Sequence, residues 1–522
     1  MREIINAISE KLIYQVSILV CLCMVGCTGD ADLTWHDEDG YRWAEVSPGY
    51  WGSTGFERLE PSVVGVEFTN RLSKSKIESN QHYLNGSGVA AGDINGDGLA
   101  DLYFASLKGP NRLYKNEGDF TFREITDEAG VSHDDHYSTG TVFSDVDNDG
   151  DLDLLVGSMS KGVSIYENNN GEFDEAEVLK KEKGKGNMTL ATGDVNKDGF
   201  LDLYVTNYKK RTVKGAYGIR NTQPEDIVHG YVSDGDTLYR VKDKFEDEYQ
   251  ILKERGKMYG VRETGEEDAL YINDGDGHFS KANPEARFSY AEDESGLPSD
   301  WGLHASFRDI NNDGYLDIYV NNDFWTPDRI WINQGDGTFH GVKPRAVRNL
   351  SLSSMGADFS DVNRDGAVDI FVTDMLSRKH KRRLSQRTPA PFFPTRKIES
   401  RPQYNRNSLY LNRGDNTYAE VSYFSGVAAS EWSWATRFMD VDLDGYEDLI
   451  INTGFSYDYQ DLDTQRRIAR KWAQSSTTDR SLTDYPSLHL KNVAFHNDGD
   501  LTFSERGSKW GLAEDRDISH GL

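Results

Sequence analysis

GVAAGDINGDGLADLYFAS, residues 88–106, sets an acidic loop, DINGDGLAD (93–101), between two apolar runs. The pattern returns as GTVFSDVDNDGDLDLLVGS (140–158), TLATGDVNKDGFLDLYVTN (189–207), HASFRDINNDGYLDIYVNN (304–322), MGADFSDVNRDGAVDIFVTD (355–374) and ATRFMDVDLDGYEDLIINTG (435–454). Each copy is followed by a second unit of two alternating strands around a Gly-Asp turn. Examples are RLYKNEGDFTFREIT (112–126), ALYINDGDGHFSKA (269–282), RIWINQGDGTFHGV (329–342), SLYLNRGDNTYAEV (408–421) and VAFHNDGDLTFSER (493–506). The second copy carries a weaker version, SIYENNNGEFDEA (164–176). One repeat therefore reads strand, acidic loop, strand, connection, strand, turn, strand. Four antiparallel strands repeated along the chain predict an all-β fold, a β-propeller of four-stranded blades.

The loop has the chemistry of a calcium cage. Alternate side chains at loop positions 1, 3 and 5 can point inward, and glycine at 6 permits the sharp turn that a hard, oxygen-liganded cation needs. An EF-hand begins the same way but needs glutamate at position 12 and flanking helices. Position 12 is Phe104, Val156, Val205, Val320, Val372 or Ile451, and position 9 is aspartate every time. The fourth ligand is thus expected at 9, after which the chain continues as a buried strand. The expected ligands are Asp93, Asn95, Asp97 and Asp101; Asp145, Asp147, Asp149 and Asp153; and Asp194, Asn196, Asp198 and Asp202. The later loops supply Asp309, Asn311, Asp313 and Asp317; Asp361, Asn363, Asp365 and Asp369; and Asp440, Asp442, Asp444 and Asp448. Up to six structural Ca²⁺ follow, with folding rather than chemistry as the ion's first role.

At these motifs the chain resembles the FG-GAP/VCBS repeat proteins, which share the integrin α-chain propeller. NDF (322–324), NQGDGTF (333–339) and VTDMLSR (372–378) narrow the resemblance to bacterial relatives of the cartilage acidic protein family, the group associated with ASPIC/UnbV domains. It covers roughly residues 60–522 and implies a calcium-bearing propeller without implying one activity. SHGL (519–522) resembles the opening of another first strand, and VVGVEFTNR (63–71) reads as an outermost strand without a blade. Together they suggest a seven-bladed ring with six complete blades, the alternative being a six-bladed ring in which both ends are tails.

The formal charge of −29 disfavours nucleic acid as a partner, because phosphate would be repelled. All three cysteines, Cys21, Cys23 and Cys27, lie near the N-terminus, which removes disulfides, cysteine zinc sites and cysteine nucleophiles from the rest of the chain. Arg2 and Lys11 precede an apolar run from Leu12 to Val25, as in a signal peptide (residues 1–27). MVGC (24–27) resembles a lipobox, so Cys27 is the expected lipidation site, and residues 28–60 read as an acidic tether. The expected location is the outer membrane or cell surface, with plain secretion as the alternative and contact with a membrane through a lipid anchor alone.

The propeller occupies residues 61–522, and three links between second and third strands are long: 208–268, 375–407 and 455–492. Topology places all three on the rim opposite the acidic loops, where long loops on a rigid scaffold commonly bind. They are basic and aromatic; Arg382, Arg383, Arg387, Arg396, Arg466, Arg467 and Trp472 are candidate ligand contacts. Arginine with aromatic rings suits sulfate or carboxylate on a sugar. The other role open to these cations is docking the insertions onto the acidic body. The cluster His133, Asp134, Asp135 and His136 could hold a metal or could be a solvated loop, and His304, His380 or His520 could supply a base. No serine-hydrolase, zincin or phosphate-loop motif is present. The expected function is a binding or adhesion module for a glycan or extracellular protein, and the alternative is a polysaccharide lyase or other glycan-active enzyme.

Overall fold

A computed structural model describes residues 35–38, 41–44, 55–134, 136–211, 224–233, 236–254, 257–291, 294–386, 401–473, 482–514 and 516–521. The signal segment, Cys27, Asp135, Arg387 and Arg396 lie outside them, as do the side chain of Trp472 and most of residues 28–60. The chain divides at Thr54/Gly55. In the first unit, Trp35–Glu38 pairs antiparallel with Tyr41–Ala44. The second unit contains the repeats.

Each repeat folds into the four strands that its pattern predicts. The first blade is Val89–Gly92, Asp101–Phe104, Arg112–Asn116 and Phe122–Glu124, paired in chain order. In the second, the inner links are so short that strands run on as Asp153–Asn169 and Glu172–Gly193, and the latter also opens the third blade. Asp202–Asn207, Ala269–Asn273 and Phe279–Lys281 complete the third. The fourth is Gly302–Arg308, Asp317–Asn322, Arg329–Asn333 and Phe339–Gly341, widened by Phe288–Ala291, which pairs parallel to its outer strand. Gly356–Ser360, Asp369–Thr373, Ser408–Asn412 and Tyr418–Glu420 form the fifth. The sixth is Glu431–Met439, Asp448–Thr453, Val493–Asn497 and Phe503–Glu505.

Alternation along each strand gives every blade two apolar faces, and successive blades bury them against each other. Tyr103 and Leu113 of the first blade meet Leu154 and Val156 of the second. Ile310 and Tyr319 of the fourth meet Ile370 and Val372 of the fifth. First strands from all six blades line one central cavity, which is the radial arrangement of a propeller.

Residues 63–71 do not form the expected outermost strand. Pro61–Val64 is a single helical turn, closed by Gly65 at φ 84° with its N–H on Pro61 O at 2.9 Å. Proline at the start and a left-handed glycine at the end favour the turn over an extended strand. The segment still packs on the first blade, where Phe68 stacks on Phe104 at 5.1 Å. Ser519 lies against the sixth blade, its N–H on Thr453 O at 3.1 Å. No four-stranded sheet beyond these six blades is formed among the described residues.

Candidate functional site

The acidic loops share one geometry. In the fourth, Asp309 accepts the N–H groups of Asp313 (3.0 Å) and Gly314 (2.7 Å). Asp317, at position 9, is fully buried and accepts from Ile310 N at 2.9 Å and Asn333 N at 2.8 Å. Corresponding bonds tie Asp101, Asp153, Asp202, Asp369 and Asp448 to their loops and third strands. Position 9 thus braces the loop, and each of its oxygens keeps a further lone pair for a cation. Burial first, then neighbouring loop carboxylates, pushes Asp317 and Asp369 up to about 7 and Asp153 and Asp202 up to about 6. A divalent cation would offset both causes. Asp145 Oδ1 and Asp442 Oδ1 are buried without a hydrogen-bond partner, which suits them to a cation. Carboxylates of Asp145, Asp147 and Asp153, and of Asp440, Asp442 and Asp444, come within 4.8 Å of one another.

Sequence reasoning missed a second repeated residue. An asparagine ends the third strand of five blades, Asn116, Asn273, Asn333, Asn412 and Asn497, and stands next to last in the second blade, Asn168. Asn333 Nδ2 donates to Leu316 O in its own loop at 3.1 Å and to Val195 O in the preceding blade's loop at 2.8 Å. Its Oδ1 accepts from Gly335 N at 3.0 Å. Asn168, Asn273, Asn412 and Asn497 make the same backward reach, to Ile94 O, Val146 O, Ile310 O and Val362 O. The signal was the constant asparagine before each Gly-Asp turn in the quoted second units.

The carboxyl that precedes the third strand carries its own pH dependence. Asp268 accepts Asn207 N–H at 2.7 Å and Tyr204 O–H at 3.0 Å, and burial pushes it up to about 7. Asn111 fills the same position in the first blade, accepting Ser106 N–H at 2.8 Å and donating to Tyr103 Oη at 2.7 Å. An amide therefore fits where Asp268 holds a reluctant charge. Because the folded pKa lies above the ordinary 3.8, stability falls as pH rises from about 4 to about 7 and stays reduced above that. Asp268→Asn is expected to gain at least about 1 kcal/mol above pH 7 and little near pH 4. Thermal melts across that range check it, and an equal gain at both ends would exclude charge as the cause.

The central cavity, of about 320 Å³, is lined by Thr141, Thr189, Ser306, Thr436 and His304, and by Asp358 and Arg437. Arg437 Nη1 lies 3.6 Å from Asp358 Oδ1. His304 Nδ1 is 3.2 Å from Asn321 Oδ1, and burial holds its pKa below the ordinary value. At the end away from the loops an aromatic cluster joins the roots of all three insertions, through Tyr208, Met375 and Phe455 with Tyr459. The segment Gln81–Asn85 sits there too, with His82 Nδ1 2.8 Å from Lys209 O.

The insertions contribute cations of two kinds. Lys209 is buried between Glu248 (2.6 Å) and Glu263 (3.1 Å) and ties down the hairpin Tyr249–Glu254/Lys257–Glu263. Arg382 Nη2 is 3.1 Å from Asp458 Oδ1, and Gln386 Nε2 donates to Gln460 Oε1 at 2.6 Å. These contacts hold the helix His380–Ser385 close to Leu462–Ala473. Arg383 Nε donates to Ser377 O at 2.8 Å, and Arg467 Nη2 to Thr464 Oγ1 at 3.0 Å. Lys379, Lys381, Arg383, Arg466, Arg467, Arg470 and Lys471 are exposed on these two helices and their approach. Buried Thr464 and Ile468 face the body. Arg466 pairs loosely with Asp463 at 3.9 Å.

Among the described residues, His133 is held by a ring stack and two hydroxyls. Its ring stacks on His136 at 3.9 Å, and its nitrogens lie 3.0 Å from Ser138 Oγ and 3.2 Å from Ser164 Oγ. His380 is exposed, whereas His520 packs on Trp434 at 4.2 Å.

The FG-GAP-like repeat family matches residues 93–156, 145–205, 259–320 and 309–372; three of these spans begin at the first aspartate of an acidic loop, and the third begins in the inserted hairpin. Cartilage acidic protein 1 of Xenopus tropicalis is 27% identical over 133 residues, 25% of this chain and 21% of that protein. The Homo sapiens protein is 24% identical over 162 residues, 30% of this chain and 24% of that protein. The chain thus spans about a quarter of the length of these curated relatives. A solved Agrocybe aegerita lectin, described as recognising non-reducing terminal N-acetylglucosamine, has a TM-score of 0.41 at 14% identity. The match covers 82% of this chain and 83% of the lectin.

Proposed function

Since the chain is an FG-GAP-repeat propeller, we propose that it is a calcium-stabilised binding module whose ligand is an anionic glycan or an acidic extracellular protein. One observation carries this reading: a chain of net charge −29 gathers seven exposed bases on two adjacent inserted helices and their approach. The part-buried contact of Arg382 with Asp458 and the buried one of Gln386 with Gln460 tie the first helix to the segment leading into the second, so the patch is preorganised rather than trailing. Among the described residues no helix is long and apolar enough to cross a membrane. Export, with Cys27 carrying lipid and the propeller displayed at the cell surface, belongs to the same proposal. Labelling with a radioactive fatty acid, lost in Cys27→Ala, tests that part.

The binding test is a glycan array run with and without chelator, using sulfated and uronic polysaccharides. The double variant Arg466→Glu/Arg470→Glu is expected to weaken binding at least tenfold and to flatten its salt dependence without changing the melting temperature. Unchanged binding by the folded variant would place the ligand elsewhere. The central cavity favours the enzymatic alternative in one respect, because His304 and Arg437 could serve as base and uronate clamp. Shortened, unsaturated chains in the same assay would establish that activity.

A further inference from the structure

The six blades differ in chemistry at a third-strand position beside the loop, the residue just before the recurring asparagine. It is Lys115, Glu167, Ile272, Ile332, Leu411 and His496 in chain order. Side chains there can reach the loop: Lys115 Nζ lies 3.4 Å from Asp97 Oδ2 in the first blade. In the sixth, His496 Nδ1 is 3.0 Å from Asp448 Oδ1 and 3.6 Å from Asp442 Oδ2. The Trp510 ring stands against the imidazole at 6.0 Å and 85°, orienting it.

These three side chains form a group able to hold one metal ion, and they alone among such groups in the described residues include an imidazole. Donors around a zinc-sized ion, with bonds of about 2.0–2.2 Å, stand roughly 3–3.5 Å apart, close to the spacings on His496 Nδ1. Asp442 also brings a buried oxygen, Oδ1, with no hydrogen-bond partner. Asp448 is oriented by the N–H groups of Val441 and Asn497, as metal carboxylates usually are. Calcium prefers oxygen donors alone, whereas imidazole favours zinc and other transition ions.

We propose that the sixth loop is a mixed imidazole–carboxylate site for a zinc-class divalent ion, held by His496, Asp442 and Asp448, while oxygen-only loops take calcium. The proposal rests on the reading that the loops bind cations. Its test uses the full chain, stripped of metal and then dialysed against excess calcium with trace zinc. One zinc per chain is expected to be retained. His496→Leu, which installs the residue of the fifth blade, is expected to lose zinc affinity on the order of 100-fold. Cobalt in place of zinc should give ligand-field absorption that the leucine variant lacks, and circular dichroism verifies that the variant is folded. Calcium bound with no zinc, or zinc held equally by His496→Leu, overturns this assignment alone. Failure to bind either metal overturns the underlying calcium reading as well.

Discussion

Chelation is expected to abolish cooperative folding. Each calcium site held at a hundred times its Kd adds about 2.7 kcal/mol, so two or three occupied loops match the 5–15 kcal/mol that an ordinary domain has in total. Position-9 carboxylates are buried beside other acids, and without a cation they stay charged at a cost or take up protons. Adding EGTA should therefore remove the sharp thermal transition and expose apolar surface to dye, and calcium should restore both. A chelated chain that melts at an unchanged temperature would deny the loops their structural role.

The second large effect concerns Asn333, which is 1% exposed. Leucine in its place leaves Val195 O and Leu316 O without their donor at the seam between the third and fourth blades. Two buried carbonyls left unpaired cost about 3 kcal/mol or more, read as a lower urea midpoint at unchanged slope. Asn333→Asp separates hydrogen bonding from volume. It keeps the shape but turns a carboxylate oxygen toward both carbonyls, so it should be at least as damaging. A well-tolerated aspartate would show that packing, not the clamp, matters here.

Much of the architecture was legible in the sequence because its signals are local. Loop positions 1, 3, 5, 6 and 9, and the alternation that follows them, identify the blade without knowledge of its neighbours. That the three insertions share an end of the ring follows from strand direction, and their roots do meet in one cluster through Tyr208, Met375 and Phe455. Residues 63–71 misled because their alternation imitates a strand, while Pro61 and Gly65 close a turn that alternation does not weigh. The partners of individual cations were not legible. Arg382 and Arg466 look alike in sequence, yet one meets Asp458 from another insertion and the other stays exposed. Such contacts depend on which distant segments the ring brings together. Asn333 was hidden differently: its repetition was plain, but a polar residue beside a turn suggests local capping before a bond that crosses between blades.

The clamp gives assembly a direction. Each asparagine from the second blade to the sixth reaches a carbonyl in the blade made just before it. A chain emerging N-terminus first, from a ribosome or through a secretion pore, presents every donor after its acceptor already exists. Every blade can then be latched as it arrives, and the latch resists backward slippage. The growing edge is always the newest blade, so the oldest seams are never waiting on chain not yet made.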